Sequence, residues 1–179
     1  MKAIQNNTYN KTHQRRFLKT LEFMADLDLK SASILNLGPD NPLSDLLIAN
    51  GYSVTNTAPG LDLDLDYDVV KDGTYSAVIG FEILEHLVSP FPLLQHIAGN
   101  KLVLSVPLSL WFAPAYWNES DPYDRHYHEF EPRQLKMLLE KAGWKVKKEA
   151  KFTNPSGKIG LRPILRAITP RHYFVYCER

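Results

Sequence analysis

Cysteine is almost absent. The 179 residues hold one, Cys177, so no intramolecular disulfide can form and the chain fits a reducing compartment. A lone thiol also excludes cysteine-built zinc fingers and iron–sulfur centres. Glycine is sparse, nine in all. Neither a G-x-G-x-x-G fingerprint nor a Gly-Lys-Ser/Thr phosphate loop occurs, which argues against NAD and ATP. Long apolar runs are missing too. The longest uncharged apolar stretch, Leu102 to Trp117, is broken by Pro107 and Pro114, short of the ~20 residues a spanning helix needs. Met1 to Arg16 has no signal-peptide core. Net charge nearly vanishes: 21 Lys+Arg against 20 Asp+Glu give +1, which argues against a generally basic nucleic-acid binder. The expectation is one soluble, cytoplasmic domain over 1–179, with 1–11 flexible, and the length excludes a second catalytic domain.

The small net charge hides a split. Residues 144–179 carry nine basic and two acidic side chains, and the rest of the chain is acidic. Lys145, Lys147 and Lys151 alternate with Val146 and Phe152, the pattern of a strand with one solvated face. The positive charge is therefore expected on the final strands, toward the far side of a sheet. An acidic segment, Asp62–Asp72 with Glu82 and Glu85, is expected at the opposite edge.

Along the chain, Phe17, Leu21, Met24 and Leu27 recur at helical spacing between Thr12 and Leu29. Arg15, Arg16 and Lys19 sit in the first half of that helix, where positive charge opposes the helix dipole. They are either solvated or partnered. Short apolar runs, Ser33–Leu37, Tyr75–Phe81 and Lys101–Val106, read as buried strands. Tyr52–Thr57 reads as a further strand. Pro42–Asn50 and Glu131–Ala142 read as helices stopped by Gly51 and Gly143. The alternating Asp62, Asp64, Asp66 and Asp68 fit a short strand or an extended loop. Glu82–Ile97 reads as a turn and helix interrupted by Pro90 and Pro92. Trp144–Phe152 and His172–Cys177 close the chain as strands, with a short helix over Leu161–Ile168 between them. Strands alternating with helices point to a parallel α/β sheet covered on both faces. Ligands of such sheets bind beyond the C-terminal strand ends, which directs attention to the segments after Leu37, Thr57, Phe81 and Val106.

Asn36-Leu-Gly-Pro-Asp-Asn-Pro42 places Gly38 at a strand end, where a ligand can approach the backbone. Taken alone it is equally a tight turn. Phe81-Glu-Ile-Leu-Glu-His-Leu87 is more informative. On a helix Glu82 would share a face with Glu85 and His86, either to contact one ligand or, for the glutamates, to favour a helix N-terminus. The loop Ser109–Tyr127 interleaves Trp111, Phe112, Tyr116, Trp117 and Tyr123 with Glu119, Asp121 and Asp124. Such a mixture suits a sugar or a flat ring, or equally a packing lid or subunit contact.

Four stretches in order carry a family resemblance: Ile34-Leu-Asn-Leu-Gly-Pro-Asp-Asn-Pro-Leu-Ser44, Ala77-Val-Ile-Gly-Phe-Glu-Ile-Leu-Glu-His-Leu87, Leu102-Val-Leu-Ser-Val-Pro107 and Arg125-His-Tyr-His-Glu-Phe-Glu-Pro-Arg-Gln-Leu135. Over residues 12–179 the chain resembles the class I S-adenosylmethionine-dependent methyltransferases of the small bacterial type. The resemblance implies a Rossmann-like, mostly parallel seven-stranded sheet with helices on both faces and an antiparallel last strand. It implies S-adenosylmethionine as cofactor, with Asn36, Gly38, Pro39 and Asp40 near its methionine part, Asn56 and Thr57 at the ribose, Asp64 or Asp66 near the adenine, and Phe81 and Glu82 lining the pocket. Two positions depart from the family pattern. The turn after the first strand has a single glycine, and Thr55-Asn-Thr57 lacks the carboxylate that usually receives the ribose hydroxyls.

Methyl transfer asks mainly for alignment, because the sulfonium is already activated. A hydroxyl acceptor also needs a base, for which His86, His126 and His128 are the candidates. His13, His96 and His172 are read as structural. Glu82, Glu85 and His86 also match a Glu-x-x-Glu-His spacing that holds a divalent metal in some relatives, although metal-free members share it, and no metal is assigned. The leading expectation is an O-methyltransferase acting on a small molecule or cell-envelope saccharide, with nucleic acid disfavoured and a homodimer left open. The alternatives are a methyltransferase-like binding module without catalysis and an RNA methyltransferase.

Overall fold

A computed structural model describes residues 11–155 and 160–179. The first ten residues, on which the expectation of flexibility falls, lie outside them, and Lys11 already opens a helix. In chain order the elements are α1 (Lys11–Ala25), β1 (Ser33–Asn36), α2 (Pro42–Ala49), β2 (Ser53–Asn56), α3 (Asp68–Lys71), β3 (Ala77–Phe81), a 3-10 turn (Leu84–His86), α4 (Pro90–His96), β4 (Lys101–Pro107), α5 (Pro132–Lys141), β5 (Lys145–Phe152), α6 (Leu161–Ile168) and β6 (His172–Glu178). Proline placement explains two helix starts. Pro42 and Pro90 occupy first helical positions, where the missing N–H costs nothing. Pro90 therefore begins α4 instead of interrupting it.

The strands form one sheet in the order β2-β1-β3-β4-β6-β5. β1 through β4 pair in parallel, and β6 runs antiparallel to both β4 and β5. The described sheet has six strands, one fewer than the resemblance implies. The aspartate-rich segment after β2 turns instead of extending: Leu65 and Asp66 donate to the Asp62 carbonyl, and the Asp62 side chain caps the Asp64 N–H at 3.0 Å. An aspartate that satisfies nearby backbone competes with a sheet ladder.

Side chains leave the central strands with period two and feed two cores. Ile34, Ala77, Ile79, Val103 and Phe174 face α1 and α2, meeting Phe17, Leu21, Met24 and Leu47. Leu35, Val78, Leu102, Leu104, Tyr173 and Val175 face the other way, onto Leu93, Leu94, Leu135 and Leu139 of α4 and α5. No helix among the described residues is long and apolar enough to cross a membrane.

Trp144 seals the second core. It follows Gly143, whose φ of 91° suits glycine alone. Its indole N–H reaches the Leu94 carbonyl at 2.9 Å, and the Arg179 guanidinium lies 4.0 Å from its ring centroid. Trp144→Ala is expected to cost ~3–5 kcal/mol by urea unfolding, the usual range for emptying a large aromatic site. A loss below ~1 kcal/mol would contradict this packing.

Candidate functional site

The C-terminal ends of β1, β3 and β4 converge on a cleft of about 460 Å³, with α1, the start of α2, the loop after β4 and the start of β6 as its walls. Asn36 and Gly38 line it from β1, and Phe81, Glu82, Glu85 and His86 from the β3 side. A Cβ at Gly38 would meet protein atoms only at 3.5 Å or beyond. Packing therefore does not demand the glycine, and it leaves the backbone open to the cleft.

At the β1 edge the side-chain amide of Asn36 donates to the Gly38 carbonyl at 3.1 Å and to the Asn56 amide oxygen at 2.9 Å. Asn56 donates in turn to Asp40 at 3.2 Å, and Ser44 Oγ donates to the same aspartate oxygen at 3.2 Å. The end of β2 thus has a carboxylate beside it after all, supplied by the β1–α2 loop. Pro39 accepts from the Asn41 side chain, and buried Thr57 joins the Asn36 carbonyl through its N–H. Asp64 accepts from the N–H groups of Val88 and Ser89, both at 2.8 Å, and so clasps the entry to α4. Pro39, Asp40, Asn56 and Thr57 stand at the edge of β1 and β2 without lining the cleft, and neither Asp64 nor exposed Asp66 lines it.

Glu82 is the most constrained residue of the site. Its φ of 57° makes it the one non-glycine described with positive φ, at a cost of ~1–2 kcal/mol. Its N–H continues the β3–β4 pairing by reaching the Ser105 carbonyl at 2.9 Å. One carboxylate oxygen accepts from Ser105 Oγ at 2.9 Å, and the other faces Arg16 Nη1 at 3.2 Å and His172 Nδ1 at 3.1 Å. Burial opposes the charge, yet the His172 hydrogen bond and charge, with Arg16 and Ser105, hold the carboxyl down to about 2.

Glu85 has the opposite environment. It is fully buried and neither carboxylate oxygen has a hydrogen-bond partner. Burial, then the charge of Glu82, push its carboxyl well above the usual range. Its backbone carbonyl accepts from the N–H groups of Tyr127 and His128 at 2.8 and 3.2 Å, tying the aromatic loop to the 3-10 turn. The His86 and His126 rings meet edge-on with centroids 5.0 Å apart. Glu85, His86 and His126 each present a ligand atom within 4.8 Å of the others. That donor set of one carboxylate and two imidazoles fits a small divalent cation. Glu82 is outside it, because both its oxygens are committed elsewhere.

His128 does not line the cleft, and its Nε2 lies 3.2 Å from the Val88 carbonyl. Trp111 and Tyr123 are exposed, and Tyr116 is the loop aromatic that reaches the cleft. His13, Arg16, Arg171 and His172 also line it. The sequence reads His13 and His172 as structural, yet both face the cleft. For Arg16 a signal existed, its position against the dipole of α1. His96 lies outside the cleft, stacked on Tyr67 with ring centroids 4.9 Å apart.

The sequence model of a methyltransferase-domain family matches residues 9–149, so the chain belongs to that family. Its fold is that of solved S-adenosylmethionine-dependent methyltransferases. One from Archaeoglobus fulgidus shares 16% identity at a TM-score of 0.61, covering 93% of this chain and 94% of that one. One from Mesorhizobium loti shares 14% at 0.57, covering 95% and 99%. The magnesium protoporphyrin IX methyltransferase of Synechocystis PCC 6803, solved with bound S-adenosylhomocysteine, shares 14% at 0.59, covering 99% and 91%. No curated protein matches the chain.

Removing one member of a buried ion pair strands the others, so Glu82→Gln is expected to cost ~3 kcal/mol at pH 7. The folded carboxyl lies below its unfolded value. Its contribution is therefore full above the unfolded range near 4.5 and is lost as pH falls toward about 2. Urea unfolding across that window should show the gap between wild type and variant narrowing with acid. Equal stability at pH 7 would contradict the assignment.

Proposed function

We propose that this chain transfers the methyl group of S-adenosylmethionine to an oxygen of a small-molecule or saccharide acceptor. The cofactor would lie across the ends of β1 and β2. Asn36 and Gly38 face its methionine part, and Asp40, oriented by Asn56, receives the ribose hydroxyls in place of a carboxylate at the β2 end. Phe81 and Glu82 form the opposite wall.

One observation carries the choice of oxygen. His86 Nδ1 lies 3.1 Å from the Arg125 carbonyl. A carbonyl only accepts, so Nδ1 carries the proton and the Nε2 lone pair is left for a substrate proton. Burial, then the charge of His126, lower the His86 pKa, so the ring is neutral at pH 7 and keeps that lone pair. The hydroxyl proton passes to Nε2 as the oxygen attacks the methyl carbon and the carbon–sulfur bond breaks.

The binding-module reading rests on the missing glycines and the missing ribose carboxylate, and Asp40, hydrogen-bonded to Asn56, would supply the second. The RNA reading rests on the basic end of the chain, where part of the charge is already compensated: Lys147 and Lys148 pair with Glu178 and Asp26 at 4.0 and 2.7 Å, and Lys136 nearby pairs with Glu149 at 2.6 Å.

Calorimetry should detect both S-adenosylmethionine and its demethylated product, and silence with both at millimolar concentration would end the proposal. Asp40→Ala should weaken that binding about tenfold, the size of one charge-assisted hydrogen bond. With an acceptor found by labelled-methyl screening of hydroxyl compounds, His86→Ala should lower kcat ~10²-fold or more. An unchanged kcat would remove His86 as the base.

A further inference from the structure

A second cavity, about 200 Å³, opens beside the cofactor cleft, and the two share Pro107, Tyr116 and Arg171 as walls. The smaller one also holds Trp117, Arg166 and Glu129. Its two guanidinium groups have no carboxylate in ion-pair reach among the described residues, and Arg166 Nε is buried without a hydrogen-bond partner. Glu129 is already engaged. It accepts from the Tyr116 N–H at 3.0 Å and stands 3.6 Å from His126 Nδ1.

Arg171 is held in place by its backbone. Its N–H donates to Phe152, and its carbonyl accepts from Leu108, both at 2.8 Å. Burial, then the Arg166 charge, work against the charged state of Arg171, and the Glu82 and Glu129 carboxylates, outside ion-pair contact, offset them only in part. Two half-buried arginines on one cavity, one with a buried Nε that has no partner and neither with a carboxylate in ion-pair contact among the described residues, are favoured by an anion that completes them. Arginine's planar fork suits a carboxylate or phosphate. The flanking Tyr116 and Trp117 offer apolar surface for the body that carries it. Arg125 occupies one side of the Trp117 ring, 4.4 Å from its centroid.

We infer that the methyl acceptor carries a carboxylate or phosphate group, held by Arg166 and Arg171 in this second cavity, with a ring or apolar body against Tyr116 and Trp117. Charge recognition there orients the acceptor, and the shared wall leads its reactive oxygen toward His86. The inference rests on the methyl-transfer reading for the word acceptor, while the anion site itself stands apart from it.

The test uses benzoate, phenyl phosphate and neutral benzyl alcohol as probes, titrated into the protein by NMR with and without saturating S-adenosylhomocysteine. At least one anion is expected to bind ~10-fold or more tightly than benzyl alcohol, as a charge-assisted pair requires, and the two anions decide between carboxylate and phosphate. Arg166→Gln should abolish that preference, and Arg166→Lys should retain part of it. Anions that bind no better than benzyl alcohol to the wild type would overturn the inference, as would an Arg166→Gln variant that is folded by circular dichroism and keeps the preference. Anion preference without any binding of S-adenosylhomocysteine would strike the methyl-transfer reading and leave the anion site standing. Cofactor binding without anion preference would do the reverse.

Discussion

One buried carboxylate ties the site together. Glu82 sits where β3 ends, and three separate elements donate to it: Arg16 from α1, Ser105 from β4 and His172 from β6. A carboxylate taken out of water must be compensated in place, and here the compensation fixes how the first helix and the last strand close on the cleft. The same residue bears the left-handed backbone that turns the chain from β3 toward Glu85 and His86. The strain and the charge are both held by the surrounding packing, with Phe81 and Phe174 in ring contact directly behind.

The charges of the site follow from that arrangement. The cleft is not uniformly acidic. Arg16, Arg171 and His172 line it beside Glu82, Glu85 and Asp124. The expectation that the basic C-terminal segment lies on the far side of the sheet holds only in part. Lys145, Lys147 and Lys151 are exposed along β5, as their alternation implies. Arg166 and Arg171 instead reach the cavities at the strand ends, because β6 runs antiparallel and starts where β4 stops. Reversal of one strand carries a basic residue from the end of the chain to the mouth of the site.

Much of the fold was legible because it depends on local pattern. Apolar runs gave β1, β3 and β4, and Gly143 separated α5 from β5 by its backbone freedom. That the described residues carry six strands and not seven was not legible, since alternating Asp and Leu suit both a strand and a series of aspartate-capped turns. The site divided along the same line. Asn36, Gly38, Phe81, Glu82, His86 and His126 meet in one cleft, since they follow strand ends and the sheet brings those ends together. Asp40 was visible as a residue, but its approach to Asn56 depends on the rotamer of a loop. His172 looked structural because its partner, Glu82, lies 90 residues away in sequence. The one hint of a partner for Arg16, charge set against a helix dipole, was shared with Arg15 and Lys19 and left solvation open.

The claim that Glu82 and its donors assemble the cofactor cleft is tested most directly by comparing two neighbouring arginines. Arg16 pairs with Glu82 at 3.2 Å, whereas Arg15 donates at the surface to the Pro155 carbonyl. Calorimetric affinity for S-adenosylhomocysteine should fall about tenfold or more in Arg16→Met and stay at the wild-type value in Arg15→Met. Wild-type affinity in both variants would show that the cleft forms without the pair and would contradict the account.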